Sequence, residues 1–222
     1  MTHSLHREGT RENLSQDFTV YCLPAVGIND RNSGMNRWRF LELALRNNPV
    51  NAGEADLGNF IAHSKKFLSE RVKERFKKSP GDGIGDGMSP CICFGSRKDF
   101  INILKDVIQA DFGMSIVVQG VLEEVEDCLK EVGLKPHTAH HSLGVWGRVE
   151  RLPGKEILEV TTMCGHGMTS PNLVKKCIEE IIAGKTTPTE AGKLLARPCI
   201  CGIFNPSRAE TLLKRIASKY QK

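Results

Sequence analysis

Five of the eight cysteines in this chain fall in three short elements. Pro90-Cys91-Ile92-Cys93 and Pro198-Cys199-Ile200-Cys201 are two copies of one tetrapeptide, and Cys164-Gly165-His166-Gly167 lies between them. In an extended segment alternate side chains share a face. Each Cys-x-Cys therefore aims two sulfurs in one direction, and two such clamps can face one another across a soft centre. Thiolates suit zinc, copper(I) or an iron–sulfur cluster. The metal-ligand candidates are Cys91, Cys93, Cys164, Cys199 and Cys201, with His166 as a nitrogen ligand. The one-residue spacing departs from zinc knuckles and ferredoxin runs, which use longer intervals.

A second use of the same residues is thiol chemistry. Cys164 or Cys199 would be the reactive thiolate, with His166, or a histidine from His137, His140 and His141, as its base. Cys164 lies ahead of Ser170-Pro171 and Cys199 ahead of Asn205-Pro206. Each pair is an N-cap residue followed by proline at the first helical position. A helix N-terminus offers free N–H groups and partial positive charge, which would lower a nearby thiol pKa. Gly165, Gly167 and Gly202 would let a cofactor approach the backbone. The third use is packing, since free cysteine is a small buried hydrophobe. That reading suits Cys22, Cys128 and Cys177, each inside an expected element.

Other motifs carry less. If His137-Thr138-Ala139-His140-His141 is a strand, His137 and His141 share a face but stand about 13 Å apart. They read as surface histidines, or as one acid–base group above the cysteines. Gly184-Lys185-Thr186 lacks the glycine of a phosphate loop and ends a helix instead of opening one. The glycines of 81–87 miss the dinucleotide spacing.

The elements that must position these residues alternate in type. Residues 17–26 read as a strand. Residues 38–45 and 57–78 read as helices, the second strongly basic from Lys65 to Lys78. The first fifteen residues are polar and expected to be loosely ordered. Ser79-Pro80 and the glycine–aspartate run after it form a break. Beyond it, strands are expected at 92–94, 115–118, 137–146 and 156–163, with helices at 98–109 and 122–132. The last sixty residues read as helices started by Ser170, Thr187 and Asn205. The fold class is thus α/β (α+β): a ferredoxin-like sandwich in the middle of the chain, N-terminal helices and a C-terminal helical segment. The expected divisions are 1–80, a connector at 81–90, and 91–222 with the cysteine motifs.

The net charge of +5 is too weak to establish nucleic-acid binding, and no apolar run nears the roughly 18 residues that span a bilayer. With no secretory signal, a cytoplasmic location is expected, where cysteines serve as thiols or ligands. The leading expectation is a cysteine-rich protein binding a metal, as zinc or an iron–sulfur cluster, for redox chemistry or cofactor handling. The alternatives are a ferredoxin-like module that binds a small molecule and forms a homo-oligomer around buried cysteines, and a metal-free thiol enzyme.

Overall fold

The computed structural model describes residues 6–54, 57–78 and 90–220. A turn of helix, α1 (Arg11–Leu14), leads into β1 (Phe18–Leu23) and α2 (Gly34–Leu45). The hairpin β2 (Asn51–Glu54) and β3 (Gly58–Asn59) is followed by α3 (Lys65–Lys78). Then come β4 (Cys91–Phe94), α4 (Arg97–Ala110), β5 (Ser115–Gln119) and α5 (Leu122–Glu131). An irregular stretch with a 3-10 turn at Val149–Arg151 precedes α6 (Lys155–Thr161), α7 (Pro171–Ile182), α8 (Pro188–Ala196) and α9 (Pro206–Ser218).

The chain is a mixed α/β protein. Its sheet is antiparallel throughout, in the order β3-β2-β4-β1-β5. A ferredoxin-like sandwich is not confirmed: this five-strand order is not the standard one. The sheet also draws β1, β2 and β3 from before the glycine-rich break and β4 and β5 from after it. The connector expected at 81–90 lies outside the described residues except for Pro90. The strands expected at 137–146 and 156–163 are absent from the sheet. Residues 137–146 are irregular and exposed, with Gly144 at φ 93°, and they pair with no strand among the described residues. Residues 155–161 are helical because Gly154 opens a turn that buries Val160 among the C-terminal helices.

Strand alternation divides the molecule into layers. Phe18, Val20, Cys22, Ile92 and Phe94 face one way, into a core with α2, α4 and α5. There Phe18 and Phe100 stack with centroids 4.5 Å apart. Tyr21 and Cys91 face the other way, into a core made by α6 to α9. Each buried large aliphatic or aromatic side chain contributes about 1.5–3 kcal/mol. The basic helix α3 buries Leu68 and spreads its charges over ion pairs, including Lys66–Glu70 at 3.8 Å and Lys73–Glu42 at 3.9 Å. Its residues Val72 and Arg75 to Lys78 have no described side chains.

The C-terminal layer is built from one unit used twice, 35 positions apart. In each copy a short helix ends, a cysteine turn follows, and a capped helix starts. Cys164 N–H donates to the Thr161 carbonyl at 3.1 Å, and Cys199 N–H to the Ala196 carbonyl at 3.1 Å. Gly167 and Gly202 close the two turns onto Cys164 and Cys199, each at 3.0 Å, with φ of 68° and 78°. Ser170 and Asn205 then cap α7 and α9, with Pro171 and Pro206 at the first position. The core positions correspond as well: Val160 with Leu195, Val174 with Ala209, and Ile178 with Leu213, all buried.

Candidate functional site

The duplicated turns bring their sulfurs together. Cys164 and Cys199, the equivalent residues of the two units, are hydrogen-bond neighbours. Cys199 Sγ lies 3.8 Å from Cys201 Sγ. Cys201 in turn neighbours Cys91 of β4, and its sulfur stands 3.7 Å from His166 Nδ1. The result is a row, Cys164–Cys199–Cys201–Cys91, with His166 beside its third member. All four cysteines are buried, while Gly165 to Met168 form an exposed cover above them. Among the described residues, no group of three or more His, Cys, Asp or Glu converges closely enough to hold a metal ion as the side chains stand.

The approach of Cys201 to Cys91 depends on two glycines. Cys91 pairs with Tyr21 on β1 and with Gly53 on β2. The missing side chain at Gly53 leaves a slot in the sheet face, and the Ile200–Cys201 backbone fills it. A Cβ at Gly53 would lie 2.6 Å from the Ile200 carbonyl oxygen. A Cβ at Gly202 would lie 2.3 Å from backbone atoms of Ala52 and Gly53. Two asparagines complete the seam. Asn59 Nδ2 donates to the Cys199 carbonyl at 2.8 Å and the Arg197 carbonyl at 3.1 Å. Asn51 Nδ2 donates to the Phe204 carbonyl at 3.0 Å.

Cys93 shares the face of Cys91 but not its company. Its sulfur lies 3.6 Å from Asp17 Oδ1, inside a buried charge network. Arg208 Nη1 bonds Asp17 Oδ2 at 3.0 Å, Asn205 Nδ2 donates to Oδ1 at 3.0 Å, and Arg7 forms an ion pair with the same carboxylate. Burial alone would raise the Asp17 carboxyl, but the two guanidiniums outweigh it and hold it below the usual carboxylate range. Burial, reinforced by Asp17, pushes the Cys93 thiol well up. Arg7 also donates to the Ile203 carbonyl at 2.6 Å, and Glu8 N–H donates to Thr162 Oγ1 at 2.9 Å. Residues around Arg7 thus strap the two cysteine turns together, where the composition suggested loose order. Sequence reasoning missed Arg7, Asp17 and Arg208. The available signal was a lone Asp ahead of an apolar strand and an Arg on the core side of the last helix.

The thiols are not activated as expected of cysteines near helix starts. The hydrogen bond with Cys199, followed by burial, holds Cys164 well above the ordinary thiol range. Cys164 favours the Cys199 thiolate, but Cys201 and burial outweigh it and push Cys199 up to about 12. Cys199 likewise favours the Cys201 thiolate, but Cys91 and burial push Cys201 up to about 12. Desolvation and sulfur neighbours therefore dominate the helix field. Cys22, Cys128 and Cys177 are buried in the two cores, as their place in the sequence indicated. His137, His140 and His141 are exposed along a groove beside β5. Among the described residues, no helix is long and apolar enough to cross a membrane.

No family model matches the chain, and no curated protein or solved structure matches it.

Proposed function

We propose that the cysteine row is the thiolate cradle of an iron–sulfur cluster, and that the protein serves redox chemistry or cofactor handling. The carrying observation is that cysteines from three separated segments are drawn together as successive neighbours, with the Cys199 and Cys201 sulfurs 3.8 Å apart and both turns presented by a duplicated scaffold. Zinc–sulfur bonds of about 2.3 Å in a tetrahedron would set neighbouring sulfurs about 3.8 Å apart. Cys199 and Cys201 stand at that separation, 3.8 Å. The row as a whole does not close on one point, however, which argues against a single zinc ion. A two-iron cluster would take two protein ligands on each iron, so its four ligands need not share one centre, and Cys199 and Cys201 are close enough to be a pair on one iron. Cys164, Cys199 and Cys201 would supply three ligands, and Cys91 and His166 both reach Cys201 to complete the set. A bound cation would also compensate thiolates that burial otherwise disfavours. The cytoplasm, which keeps thiols reduced, suits such a site.

The metal-free thiol enzyme has less support, because raised thiol pKa values leave little nucleophilic thiolate near neutral pH. The decisive experiment is anaerobic purification with iron, sulfide and zinc analysis and an absorption spectrum. The expected result is a brown protein with iron and acid-labile sulfide in fixed ratio. Cys199→Ser should lose it and Cys177→Ser should keep it. Stoichiometric zinc without iron would replace the cluster by a zinc site. A protein that stays metal-free after reconstitution with iron and sulfide, or with zinc, would sink both.

A further inference from the structure

Residues 142–149 form a small apolar knuckle in an otherwise polar surface stretch. Leu143 is 86% exposed, Trp146 82% and Val145 51%. The knuckle is not a loose tail. Trp146 Nε1 donates to the Leu143 carbonyl at 3.0 Å, and Gly144 N–H donates to Ser142 Oγ at 3.2 Å. Gly144 and Gly147, at φ of 93° and 91°, set its bends. An indole fixed in this way loses little entropy on docking, and Trp is a preferred anchor of protein interfaces.

The same molecule carries a matching hollow. A groove of about 1370 Å³ runs beside β5, between that strand and residues 134–142. Ile108, Leu122 and Leu134 line it and are 44%, 37% and 38% exposed. β5 reads Ser-Ile-Val-Val-Gln and is an edge strand, without the charges or proline that usually protect one. The knuckle follows directly on the outer wall of this groove. Both hydrogen bonds lie inside the knuckle, so it projects as a preformed unit, and Leu143, Val145 and Trp146 do not line the groove beside it. A preformed projection can enter the groove of another molecule unchanged.

We propose that the occupant of the groove is a second copy of this chain: two molecules related by a two-fold axis exchange knuckles, each Trp146 entering the partner's groove beside β5. The arrangement is isologous and closes on itself. Trp146 alone offers about 200 Å² to burial, and with Leu143 and Val145 about 400 Å². Each copy contributes both a knuckle and the groove surface it covers, so about 800 Å² is buried per copy, the size of a standard interface.

The test is sedimentation velocity of the full chain across the micromolar range, with Trp146→Ala and Leu122→Lys as variants. Both positions are surface-exposed, and far-UV circular dichroism checks that each variant keeps its fold. The wild type is expected to dimerise, and each substitution to weaken the dimer by about 30-fold or more, as for an interface hot spot. A wild type that stays monomeric overturns the proposal, and so does a dimer indifferent to both substitutions. A monomer whose Trp146 is shielded from acrylamide quenching also overturns it, since the knuckle would then lie in its own groove.

Discussion

At the scale of single residues, the dominant feature is one carboxylate between two buried guanidiniums. Asp17 is fully buried, and Arg7 and Arg208 balance its charge at the cost of leaving a net cation in the seam. Removing one partner of such a group leaves uncompensated buried charge, which typically costs about 3–5 kcal/mol. Asp17→Asn should therefore lower the unfolding free energy by about that much at neutral pH, measured by urea denaturation. A loss below about 1 kcal/mol would mean that the network is solvated. Because the native carboxyl titrates below its unfolded value of about 3.9, the unfolded chain binds the extra proton as pH falls. The stabilisation is complete above that value and disappears as pH drops through the native pKa. The variant should show a shallower acid limb. The thiols act on the opposite side. Cys199 and Cys201 titrate near 12 when folded, against about 8.5 unfolded. Their stabilisation of the metal-free protein is complete below about pH 8.5 and fades toward pH 12. A Cys199→Ser/Cys201→Ser double variant should flatten that alkaline decline.

At the scale of elements, the site depends on how closely β2 and the second cysteine turn approach. Gly202 has a positive φ and no room for a Cβ, so Gly202→Ala combines backbone strain with a collision against β2. The expected cost is about 2 kcal/mol or more. Gly113 has a similar φ of 60° but open space around it, so Gly113→Ala should cost only about 1 kcal/mol. Thermal denaturation of the two variants separates strain from contact, and equal losses would refute the close-approach argument. What could be read beforehand follows the same division. The helix starts at Ser170, Thr187 and Asn205 were legible because a cap and a proline are local signals. The same locality made Cys164-x-x-Gly and Cys199-x-x-Gly visible as sharing a context. β2 was not legible, because Asn51-Ala-Gly-Glu54 has none of the usual strand formers and exists through its neighbours. The apolar, β-branched run 156–163 suggested a strand, but packing against α7 and α9 made it α6.

At the scale of the whole molecule, the cysteine row lies at the seam between the sheet and the duplicated helical layer. Nothing local holds that seam shut. Arg7 bonds Ile203, 196 positions away, and Glu8 bonds Thr162, 154 positions away. Long-range closure of this kind was invisible in a polar N-terminal stretch, because no periodicity marks a single buried arginine. The arm should therefore act on the two cysteine turns together, and weakly on the face packed against α2 and α4. Arg7→Ala removes the Asp17 ion pair and the donor to Ile203, leaving buried acceptors unpaired at about 1–3 kcal/mol. Local opening free energies set amide exchange rates. Exchange at residues 162–168 and 199–205 should then rise about ten- to a hundredfold, since 1.4 kcal/mol corresponds to tenfold. Amides of α4, in the opposite core, should change far less. Hydrogen–deuterium exchange followed by mass spectrometry reads both regions in one experiment. A uniform rise across the chain would mean that Arg7 supports global stability alone. No change at either turn would mean that the strap does not hold the seam.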